Sequence, residues 1–85
     1  MNPEIRRMVD LSFKIVDRIH EILKEKGLKQ KDLALRLGKN ESEISRWMRG
    51  THHFTIDTLI AIENVLGEPI IAVCHPEITR ESLSD

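Results

Sequence analysis

The chain has 85 residues, 40% hydrophobic and 32% charged, which suits one soluble globular domain and excludes both a disordered tail and a membrane protein. Its longest apolar run, residues 70–74, is far too short to cross a bilayer. Net charge is −1, but residues 29–53 carry six basic side chains against three acidic ones, and residues 54–85 carry Arg80 against six acids. That asymmetry predicts a basic working face and an acidic far end, with an ordinary mixed surface as the alternative. The opening Met1-Asn2-Pro3-Glu4 lacks the basic and apolar blocks of a signal peptide, and a lone Cys74 makes no disulfide framework. Both point to the cytoplasm.

The first helix is marked at both ends. Asn2 is a good N-cap, Pro3 suits the first helical position, and Gly27 is a left-handed stop. Between them Ile5, Met8, Val9, Ile15, Val16, Ile19, Ile22 and Leu23 recur at helical spacing, interrupted by Ser12, with Phe13 off the stripe. A helix over residues 3–26 is about 36 Å long, more than a domain of this size covers. Either it breaks near Asp10–Ser12, or its first turns project and find a partner.

A short second helix spans residues 30–37, with Leu33, Ala34 and Leu37 inward and Gly38 at its end. Asn40 starts a third, and Glu43 three residues on would complete a capping box. Ile44 and Trp47 share one face of it, and Gly50 closes it. Thr55 caps a fourth helix with Ile56, Leu59, Ile60, Ile62, Val65 and Leu66 as the buried stripe and Gly67 as the stop. The β-branched run at 70–74, between Pro69 and Pro76, reads as a strand. An unpaired strand leaves backbone donors and acceptors bare, so Ile70, Ile71 and Val73 are the expected contacts of a homodimer. Residues 77–85 read as a polar, frayed tail. The expected organisation is one domain over residues 1–85, with its core at about 14–68, a strand-like dimerisation segment at 69–76 and the tail at 77–85.

The stretch from Gln30 to Met48, QKDLALRLGKNESEISRWM, carries the functional signal. Two short helices crossing steeply need a small residue at their contact, which Ala34 supplies. The turn between them needs a positive φ, which Gly38 supplies. Leu33, Leu37, Ile44 and Trp47 then seal the pair to the core, and the second helix is free to enter a DNA major groove.

These residues, with the run ISRWMRG at 44–50 and TLIAIENVLG at 58–67, resemble the lambda-repressor-like XRE helix-turn-helix regulators over about residues 14–68. The resemblance implies an all-α bundle of four to five helices, double-stranded DNA as partner, and a dimeric transcriptional repressor. Small members of this size also resemble HigA-like antitoxins, so the alternative is an antitoxin that neutralises a toxin protein and represses its own operon. Departures from the pattern are Lys29 where a threonine is usual, Lys39 after the turn glycine, and Phe54 in place of a proline. Glu41 and Glu43 also put negative charge at the tip of the recognition helix.

The candidate base-contacting residues are Glu41, Ser42, Ser45 and Arg46. A carboxylate at Glu41 accepts from the cytosine amino group, and Arg46 is placed for a bidentate guanine contact or for a phosphate. The candidate phosphate contacts are Lys29, Gln30, Lys31, Lys39, Arg49 and His52. Trp47, in register with Ile44, is expected in the core rather than as a stacking platform. His20, His52, His53, Cys74 and His75 have no zinc-site spacing, and no phosphate loop, nucleophile elbow or carboxylate pair is visible. No metal, no cofactor and no catalysis are expected.

Overall fold

The computed structural model describes residues 2–50 and 52–72, which form four helices: α1 (Pro3–Lys26), α2 (Gln30–Leu37), α3 (Glu41–Trp47) and α4 (Ile56–Leu66). Val73 and Cys74, the end of the expected strand, and the polar tail 77–85 lie outside the described residues. The helix ends follow the capping residues. Asn2 accepts the Glu4 N–H at 2.7 Å, and Thr55 accepts the Thr58 N–H at 3.4 Å. Gly27, Gly38 and Gly67 close α1, α2 and α4 in the left-handed conformation.

One core holds the bundle together. Ile19, Ile22 and Leu23 of α1, Leu33 and Ala34 of α2, Ile44 and Trp47 of α3, and Ile62 and Leu66 of α4 pack as a single buried cluster. α2 touches both α3 and α4, so it is the central plate of the bundle. Two long-range bonds fasten the edges. Arg36 of α2 donates to the Val65 carbonyl at 3.1 Å, which supplies the last turn of α4 with a cation that its own sequence lacks. Arg18 of α1 donates to the Pro69 carbonyl at 3.0 Å and pairs with Glu21.

The structure decides one open alternative and corrects three expectations. α1 does not break near Asp10–Ser12. It runs unbroken, and residues 2–11 are all exposed. Ile56 and Ile60 do not belong to the buried stripe of α4, being 70% and 46% exposed; its buried residues are Leu59, Ile62 and Leu66. Glu43 makes no capping box; Asn40 has no side-chain cap bond, and the Glu43 carboxylate lies 3.3 Å from the Lys39 ammonium. Residues 70–72 form no strand. The backbone N–H groups of Ile70 and Ile71 donate to one oxygen of Glu63 at 2.6 and 2.9 Å, so a carboxylate takes the donors that a strand partner would have used. Those two bonds hold the Glu63 carboxyl below its ordinary range.

Candidate nucleic-acid interface

α2 and α3 meet through Ala34 and Leu33 on one side and Ile44 and Trp47 on the other, all buried. Gly38 turns the chain between them at φ 70°. With its apolar side sealed, α3 turns the rest outward: Glu41, Ser42 and Arg46 are exposed, and Ser45 is half-buried. Four candidate base contacts therefore share the outer side of one seven-residue helix. The acids at its start complement the helix dipole while opposing a polyanion, and Arg46 in its last turn suits both.

The candidate phosphate contacts surround this helix. Lys29 and Lys31 are exposed and Gln30 is half-buried, all at the start of α2. Lys29 gives α2 no side-chain cap bond; Asp32 instead accepts the Lys29 backbone N–H at 2.8 Å. The sequence reading missed that substitute; the acid at the third position of the helix was the signal. Lys39, in the turn, is divided between two neighbours: its ammonium is 3.3 Å from Glu43 and 5.8 Å from the centre of the Trp47 ring. Arg49 is exposed beyond α3.

His52 is built in more firmly than a loop residue. Its ring stacks on Trp47 with centroids 5.2 Å apart and meets the edge of Phe54 at 4.7 Å. Burial against these rings lowers its pKa below the ordinary 6.5. His53 and Arg46 add to the effect, and Glu43 opposes it. Trp47 is 5% exposed and belongs to the core, and Phe54, in the place of the usual proline, completes the aromatic cluster.

Residues 19–72 match the family model described as Helix-turn-helix. The chain belongs to the helix-turn-helix family, as an XRE, lambda-repressor-like regulator. No match stands among curated protein sequences, and none among solved structures. The matched span begins inside α1 and takes in all of α2, α3 and α4, so the α2–turn–α3 unit described above is the family's DNA-binding motif. DNA binding in transcription regulation is its function. No helix among the described residues is long and apolar enough to cross a membrane. In the N-terminal half of α1, which precedes the match, residues 2–11 are all exposed.

Proposed function

We propose that the protein is a cytoplasmic, dimeric repressor that reads a two-fold symmetric operator with α3. The observation that carries this reading is the division of α3 itself. Ile44 and Trp47 fix it to the core, while Glu41, Ser42 and Arg46 stand free on the opposite side. A helix held in this way enters the major groove as a rigid probe and loses little conformational entropy on binding.

Within that frame Arg46 discriminates bases, with Glu41, Ser42 and Ser45 beside it. Lys29, Gln30, Lys31, Lys39, Arg49 and His52 set affinity and register through phosphates. Lys39 does so only after leaving Glu43, so that ion pair holds non-specific binding down. The dimer places two α3 helices about one helical turn of DNA apart, and the side chains of Ile70, Ile71 and Val73 contribute to its contact.

The test is a salt titration with an operator selected from genomic fragments and a scrambled duplex of equal length. Arg46→Ala weakens operator binding by about 1–3 kcal/mol and relaxes preference at one base pair. Lys39→Ala weakens both duplexes alike and flattens the salt dependence by roughly one unit of slope. Glu43→Gln frees Lys39 and strengthens the scrambled duplex most. Equal loss on both duplexes for Arg46→Ala makes Arg46 a backbone clamp and moves base reading to its neighbours. No loss for either variant on any DNA removes α3 from the interface.

A further inference from the structure

α1 leaves its apolar stripe half covered. From Ser12 onward the stripe is buried at Val16, Ile19, Ile22 and Leu23. Before Ser12 it continues in the same register through Ile5 (50% exposed), Met8 (45%) and Val9 (37%), where Met8 only lines an open cleft with His53 and Phe54. Residues 3–11 alone extend about 13 Å. These turns continue a helix whose other half is packed, and a contiguous apolar stripe left in water is the mark of an interaction surface.

Its surroundings identify the cover. Two clefts flank the projecting ridge. One, of about 290 Å³, is lined by Leu11, Lys14, Ile15 and residues 70–72; the other, of about 210 Å³, by Met8, Ser12, His53 and Phe54 among others. A ridge of medium-sized apolar side chains beside grooves able to receive them is self-complementary, which is what a two-fold contact between identical chains requires. The charge agrees: residues 2–14 hold Arg6, Arg7 and Lys14 against Glu4 and Asp10. That near-balance neither repels a second copy nor attracts a polyanion. Ile5, Met8, Val9 and Leu11, at 37–50% exposure, are the exposed apolar side chains of these turns, and Ile71 (37%) stands in the wall of the adjoining cleft.

We propose that the N-terminal half of α1 is the dimer contact, crossing the same segment of a second copy antiparallel, with the dyad beside Met8 and Val9 and the clefts receiving the partner's side chains. The proposal rests on the dimeric reading of the regulator and gives Ile70 and Ile71 a definite place in it, as the wall of one cleft. It also joins the contact to the DNA face. The Phe13 ring fills the space over Gly50, which follows α3, so the interface and the recognition helix share a wall.

Sedimentation equilibrium without DNA, at about 50 µM, separates this proposal from the DNA reading. The wild type runs at twice 9.8 kDa. Met8→Asp, whose helix content by circular dichroism matches the wild type, dissociates at least tenfold more readily. Val9→Cys, in a Cys74→Ser background, forms an interchain disulfide on mild oxidation, because a dyad beside residue 9 brings its two copies within disulfide reach. Lys26→Cys, at the far end of the helix, does not. A wild type that stays monomeric overturns the proposal and leaves the stripe to a different protein, such as a toxin. A Met8→Asp dimer as tight as wild type, or equal cross-linking at residues 9 and 26, places the contact elsewhere, with the exposed Ile56 and Ile60 of α4 next in line. None of these results alters what Arg46→Ala does to operator binding by the same chain.

Discussion

The two halves of α1 share one stripe and are held by different things. From Ser12 to Leu23 the stripe is almost completely buried at Val16, Ile19, Ile22 and Leu23, and the last three join the cluster shared with the other three helices. From Ile5 to Leu11 the apolar residues are of the same types at the same spacing, and they stand 37–50% exposed. Periodicity therefore specifies which face of a helix is apolar but not what covers it. The cover is decided by the length of the opposing elements. α2, α3 and α4 have 8, 7 and 11 residues against 24 in α1, and they run out before it does.

The sharpest way to break that comparison is to remove the same side chain from each half. Ile19 is fully buried, and Ile19→Ala leaves a cavity in the shared core. The expected loss is about 2–5 kcal/mol, a large part of the stability of so small a domain. Ile5→Ala, measured by urea denaturation at concentrations where dimers are dilute, changes stability by no more than about 0.5 kcal/mol. The gap between the two widens or narrows with protein concentration only for Ile5→Ala, because only there does association supply the burial. Equal losses at both positions would mean that the projecting turns are covered within one chain.

A smaller effect probes the junction of the halves. Gly50 has φ 87°, and a Cβ on it would overlap the Phe13 ring; Gly67 has φ 71°, with open space around it. Gly67→Ala therefore loses only the backbone preference, about 1 kcal/mol. Gly50→Ala loses that and also displaces Phe13, for about 1–2 kcal/mol in all. Gly50→Ala in a Phe13→Ala background costs only what Gly67→Ala does, because the ring that the Cβ would displace is gone. Thermal unfolding of wild type, Gly50→Ala, Phe13→Ala and the double variant closes the cycle. If Gly50→Ala costs no more than Gly67→Ala, the 46%-exposed Phe13 ring swings away freely and does not link α1 to the end of α3.

Much of this was legible in the sequence because local rules and the global fold agree. The bounds of α1, the stops at Gly27, Gly38 and Gly67, and the inward placing of Leu33, Ala34, Ile44 and Trp47 all follow from caps and period. What was illegible depended on partners distant in sequence. Nothing near Ile56 or Ile60 says that only Leu59, Ile62 and Leu66 of α4 are fully buried. Nothing near Ile70 says that Glu63 will take its N–H, and nothing in α4 says that Arg36 will serve its end. Glu43 had two good options, the helix cap and the lysine before it; the choice of Lys39 is a side-chain competition that spacing does not resolve. The side of α3 facing outward was readable, whereas the assignment of bases to Glu41, Ser42, Ser45 and Arg46 depends on a DNA sequence that the chain does not contain.

The smallest expected effect tests whether the two regions of the molecule are energetically separate. His52 belongs wholly to the body of the domain, between Trp47 and Phe54. Burial there, aided by His53 and Arg46, lowers its pKa below 6.5, so the folded protein prefers the neutral ring. Between the lowered folded value and 6.5 the unfolded chain binds more protons than the folded one. The stability contributed by His52 is therefore complete above about pH 6.5 and is lost as pH falls through the folded value. His52→Gln abolishes that share of the slope, leaving the decline below pH 5 that comes from carboxylates such as Glu63, whose pKa is also lowered by folding. Because neither group sits on the projecting turns, the slope should be the same in the Ile5→Ala background, measured by urea denaturation from pH 8 to 5. A slope that changes with Ile5→Ala would show that the projecting half of α1 rests on the loop carrying His52. In that case the cleft lined by Met8, His53 and Phe54 is already closed within one chain, and the division between the two halves of α1 disappears.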